Sequence, residues 1–93
     1  MISAYKAKKN VKSVRDKIYN KLKNNKELFD YIDKEVTSAS NLGWQSATIN
    51  RKHWYTYMES QVEIEVFLSI LETLGYEHSI TKSTKNLFLY WGY

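Results

Sequence analysis

Only three glycines occur in this 93-residue chain, and two of them follow a leucine at the end of an apolar stripe, in Leu42-Gly43-Trp44 and Leu74-Gly75-Tyr76. Glycine accepts the left-handed backbone that closes a helix, and an aromatic residue just after it packs back on the last turn. Two such stops divide the chain into a helical region, a strand, a second helix and a C-terminal pair of strands. The segments between the stops do not match one another, so shared capping explains the echo better than duplication.

Before the first stop, Val11, Val14, Ile18, Leu22, Phe29, Ile32 and Val36 follow spacings of three and four, which sets them on one helix face as a core stripe. Ser3 is suited to cap the start. Asn24-Asn25 interrupts the stripe without changing its phase, so one long helix or two abutting helices satisfy the pattern. Two are favoured, because both asparagines are poor helix formers and the charge changes sign at almost the same place. Before the second stop, Ile64, Phe67, Leu68, Leu71 and Leu74 repeat the spacing. With Val66 and Ile70 they make a helix apolar around much of its circumference, expected at the centre of the domain, with Glu63, Glu72 and Thr73 on its wet edge.

Between the helices, Gln45, Ala47 and Ile49 alternate with Ser46, Thr48 and Asn50, the period of a half-buried strand. Arg51-Lys52 suits an exposed turn, and the aromatic-rich run His53 to Met58 predicts a second, short strand. After Gly75, Tyr76, His78 and Ile80 alternate with Glu77, Ser79 and Thr81. A polar Ser83 to Asn86 connection and Leu87-Phe88-Leu89-Tyr90-Trp91 then complete a β-hairpin. Large apolar side chains on both faces of the last strand imply a central or covered position. The expectation is one α+β domain over residues 1–93, with its helices packed on a small antiparallel sheet of three to four strands.

Charge is unevenly distributed. Residues 1–26 carry nine bases and one acid, a net +8, whereas residues 27–93 carry five bases and nine acids, a net −4. Such a bipolar chain suits an anionic partner at one end and equally describes a well-solvated helix. The absence of cysteine leaves no disulfide framework or thiolate metal site and fits an intracellular setting. No run approaches the roughly 18 apolar residues of a membrane span, and the N-terminus lacks the apolar segment of a secretory signal. No membrane role is expected.

Neither His53 nor His78 has a second ligand at helical spacing, so no metal site is expected. His78, sharing a strand face with Tyr76 and Ile80, suits a hydrogen-bonded structural role; His53, in a basic turn, suits exposure. The pairs Asp30 with Asp33 and Glu59 with Glu63 read as exposed helix charges. No phosphate-cradling loop or nucleophile motif accompanies them, so neither a cofactor nor catalysis is expected. What remains is Arg51-Lys52-His53-Trp54-Tyr55-Thr56-Tyr57, where bases and aromatic rings interleave. Arg51, Lys52, Trp54, Tyr55 and Tyr57, with Lys8, Lys12 and Arg15 of the basic helix, are the candidate partner-binding residues, and enrichment of Tyr, Trp and Arg at protein interfaces favours a protein partner. Nucleic acid is the alternative, bound through the basic N-terminal helix and the aromatic turn, with Phe88 and Tyr90 extending an aromatic stacking surface. A homodimer through strand pairing or helix packing is also reasonable.

The arrangement resembles a recurring type of small bacteriophage protein. Its marks are the opening Ile2-Ser3-Ala4 and lysine-rich helix, Ser40-Asn41-Leu42-Gly43, Leu71-Glu72-Thr73-Leu74-Gly75-Tyr76 and the closing Leu87-Phe88-Leu89-Tyr90-Trp91. They cover most of the chain but are capping and packing features, so the resemblance implies fold and phage origin and carries no binding residue across. It implies a binding role, either as an inhibitor of a host or antiviral-defence protein or as a minor virion component. The Trp54 to Tyr57 cluster departs from the plainer polar linker of that type.

Overall fold

The computed structural model describes residues 3–92, so Ile2 of the opening motif lies outside the described residues. Its elements in chain order are α1 (Ala4–Lys23), α2 (Lys26–Asn41), β1 (Ser46–Ile49), two 3-10 turns (Arg51–His53 and Tyr55–Tyr57), α3 (Gln61–Thr73), β2 (Glu77–Ile80) and β3 (Leu87–Tyr90). The strands form an antiparallel sheet of order β1-β3-β2, so the last strand is central as its two apolar faces require. The α+β class, the antiparallel sheet and the helices packed on it agree with the sequence.

Capping chemistry explains the helix boundaries. The Ser3 hydroxyl accepts from the Lys6 amide at 3.2 Å. The helical region breaks where the asparagines stand: Asn24 ends α1, and the Asn25 side chain accepts from the Leu28 amide at 3.2 Å, starting α2. Ser60 caps α3 through the Glu63 amide. Both leucine-glycine stops end their helices as expected, with Gly43 at φ +84° and Gly75 at φ +94°, and the amides of Trp44 and Tyr76 reach back to the carbonyls of Ala39 and Leu71; Tyr76 packs against the core, whereas the Trp44 ring stays 63% exposed rather than packing back.

The core lies between one sheet face and the helices. Ala47 and Ile49 of β1 and Leu87 and Leu89 of β3 point inward, against Leu28 and Ile32 of α2 and Val66, Phe67, Ile70 and Leu71 of α3. Register follows from alternation: the rungs Ala47–Leu89–His78 and Ile49–Leu87–Ile80 face the helices, and Thr48–Phe88–Ser79 and Ser46–Tyr90–Glu77 face away.

Three expectations are corrected. The segment His53 to Met58 is no strand but part of two consecutive 3-10 turns, started by the Asn50 side chain accepting from the Lys52 amide. The apolar stripe is core only from Ile18 onward, because α1, about 30 Å long, runs past the body it packs on and leaves Val14 52% and Val11 56% exposed. Glu63, expected on the wet edge of α3, is 6% exposed.

Replacing Asn25 with alanine removes the α2 cap while leaving the helix stripe intact. The expected loss is about 1 kcal/mol of unfolding free energy, read from the denaturant midpoint at unchanged slope.

Candidate functional site

The candidate residues fall into two groups that the fold keeps apart. Trp54 belongs to neither surface: it is fully buried, with its indole N–H donating to the Lys85 carbonyl at 2.8 Å and its ring stacked on Phe67 at 5.8 Å. Tyr55 meets Trp54 edge-on at 5.4 Å and is half-buried. Tyr57 is half-buried too, and its phenol is raised above its ordinary pKa, first by desolvation and then by the Glu27 carboxylate of α2. His53, expected to be exposed, is half-buried and stacks on Tyr31 of α2 at 3.8 Å.

The aromatic segment is therefore an internal strut between α2, α3 and the β2–β3 connection, which corrects the expectation that Trp54 anchors a partner. Its exposed part is Arg51, Lys52 and Thr56, with the Arg51 guanidinium over the Tyr55 ring at 5.5 Å. Both bases lie beyond the Ile49–Leu87–Ile80 rung, at the same end of the sheet as Lys82 and Lys85 of the β2–β3 connection. Phe88 and Tyr90 stand on the outer sheet face, each a little over one-third exposed.

Lys8, Lys12 and Arg15 form the second group: Lys8 and Lys12 stand on the part of α1 that extends beyond the body of a molecule 55 Å long and only 26 × 23 Å across, and Arg15 stands at its base, where α1 still meets α3. This arm has an apolar side whose periodicity predicts core. Ala4, Ala7, Val11, Val14 and Ile18 follow a three-four-three-four spacing, the seam along which helices pack. Where α1 leaves α3, Asn10, Val11, Val14 and Arg15 face Val62 across an open notch of about 400 Å³.

Ion pairs mark the limit of the packed region. The Arg15 guanidinium donates to the Glu65 carboxylate at 2.8 Å. The Lys21 ammonium sits between Glu59 at 3.3 Å and Glu63 at 3.4 Å, which accounts for Glu63 being tolerated in burial. Partial desolvation lowers the Lys21 pKa, but hydrogen bonds and charge from Glu59 and Glu63 together outweigh it, and the net shift is upward. A lysine whose pKa rises on folding contributes in full below its unfolded value and loses the contribution as pH climbs through the folded one. The clamp thus holds through the neutral range and opens above the ordinary 10.5. Among the described residues Lys6, Lys8, Lys9, Lys12 and Lys17 make no ion pair.

Other chemistry is sparse. The His78 ring meets the Glu72 carboxylate at 2.8 Å, the hydrogen-bonded role expected for it. Among the described residues no cluster of three His, Asp or Glu is arranged to hold a metal ion, and no helix is long and apolar enough to cross a membrane. No protein family matches the chain, and no curated protein or solved structure matches it at a significant level.

Two stability measurements check these assignments. Trp54→Ala is expected to cost about 3–5 kcal/mol, as for other buried aromatics, and a near-neutral outcome returns Trp54 to the surface. Lys21→Met is expected to lower the melting temperature by stranding Glu63, and adding Glu63→Leu should restore much of the loss. Equal melting of the single and double variants removes the clamp as the cause.

Proposed function

We propose that this protein is a non-enzymatic binder that engages another protein through the projecting half of α1. The resemblance to small phage proteins supports an inhibitor of a host or antiviral-defence protein acting in the host cell cytoplasm. The observation that carries the reading is the arm itself: a helix whose apolar seam emerges from the core still apolar and is bordered by unpaired bases. A monomer that needed this helix only for stability would gain by ending it near Arg15, where packing ends, because a solvated helix of valines and like charges adds little on its own. Arg51 and Lys52 lie away from the arm and enter this reading only as secondary contacts.

A second reading, nucleic-acid binding, draws on Phe88 and Tyr90 of the outer sheet face together with Arg51, Lys52, Lys82 and Lys85 at one end of it, since rings stack on bases while cations neutralise phosphates. Glu77 opposes Tyr90 on the same face, which counts against a phosphate path across it. A virion role separates from inhibition by whether the protein is found in purified particles.

The test uses Val11→Gln with Val14→Gln, a charge-neutral change to residues that are better helix formers. The double variant should melt within about 1 kcal/mol of the parent and lose the partner captured by affinity purification from host lysate. Retention of that partner moves the interface off α1. A gel shift that persists in this variant but fails in Phe88→Ala with Tyr90→Ala supports the second reading instead.

A further inference from the structure

The way α3 is held against α1 is a pattern for what the rest of α1 is built to receive. Along the packed half, α3 offers apolar side chains to the Ile18 and Leu22 side of α1 and carboxylates to its flanks, Glu65 to Arg15 and Glu63 to Lys21, and Glu59, just ahead of α3, joins Glu63 at Lys21. Along the projecting half, the same elements continue with no occupant among the described residues. The seam passes through Val14, Val11 and Ala7. On one flank are Lys8 and Lys12, on the other Lys17, and exposure rises from 1% at Leu22 to 56% at Val11. The notch at Val62 lies where a second element would abut the start of α3.

We infer that the projecting half of α1 docks an acidic amphipathic α-helix of a partner protein, which seats small or branched apolar side chains on Ala7, Val11 and Val14 and directs carboxylates to Lys8, Lys12 and Lys17. This rests on the protein-binding reading above and specifies its partner. Charge complementarity selects the occupant. The seam's flanks are basic with Asp16 the one acid in the helix, so a second copy of α1 would bring like charges together on both sides. An anionic bilayer is a poorer fit, because interfacial helices insert Trp, Phe or Leu, whereas this face offers alanine and valine. Duplex DNA matches the bases but has no use for an apolar seam that broad; base edges are read by polar side chains.

The probe is a fluorescein-labelled helical peptide of about 21 residues, long enough to hold helix in isolation, with leucine and alanine on one face and glutamate on both flanks. A control peptide has the same composition with the apolar residues scattered. Anisotropy titration of the full chain should show binding of the patterned peptide that weakens with salt. Binding should fall about tenfold or more in Val11→Gln with Val14→Gln, and as much in Lys8→Glu with Lys12→Glu. Amide shifts of the unsubstituted protein on adding peptide should centre on residues 7–14, a readout independent of how the variants fold.

No binding, equal binding of the scattered control, or shifts centred elsewhere overturns the inference. So does stronger association with duplex DNA or anionic vesicles that the valine substitutions leave unchanged. Mass rising to a dimer in light scattering, lost in the same variants, assigns the seam to a second copy and overturns it as well. If the peptide fails while the lysate partner still depends on Val11 and Val14, the partner is not an acidic helix and the protein-binding reading stands; if neither depends on them, both fall.

Discussion

The fold depends most on a single buried indole. Trp54 stacks on Phe67 of α3, and its N–H is satisfied by the carbonyl of Lys85, so one side chain ties the segment after β1 to the central helix and to the connection between β2 and β3. Burying an indole completely is costly unless its N–H finds a partner. Here the partner lies in a connection bent for the purpose: Lys85 adopts φ +58°, unusual for a residue with a side chain, and its amide closes the turn on the Thr81 carbonyl at 2.7 Å.

What was legible in the sequence is what local chemistry determines. Leucine-glycine stops, an asparagine pair and strict alternation act over a few residues, and each led to the right element at nearly the right place. The run 53–58 failed because aromatic residues favour strands for their fit to a half-buried surface, and a pair of 3-10 turns offers the same surface. Asn50, suited to cap a tight turn, was the local sign that went unused. Glu63 was misplaced for a different reason. Its hydropathy speaks for water, and the ammonium that makes burial tolerable belongs to Lys21, on another helix.

The candidate site was legible in its charges and not in its apolar half. Lys8 and Lys12 stand on an exposed arm with Arg15 at its base, as the basic segment suggested, while Trp54 went into the core and took Tyr55 and Tyr57 partly with it. Val11 and Val14 were visible as stripe, yet periodicity reports only which side of a helix is apolar, not whether anything reaches it. Length held the missing clue. A helix of 20 residues cannot be covered along its whole length by one of 13, and the excess of roughly 10 Å at 1.5 Å per residue is the uncovered seam.

The projecting arm also gives the molecule an electrical handle. Six of the fourteen bases, and only one of the ten acids, fall on residues 6–17 of α1 toward one end of a molecule 55 Å long, and α1 points the positive end of its own backbone dipole outward with no acid in its first turn to offset it. In the field of a negatively charged surface such a particle feels a torque before it feels contact. It arrives tip first, and the search over orientations that slows most encounters between macromolecules is narrowed while the two are still separated by water.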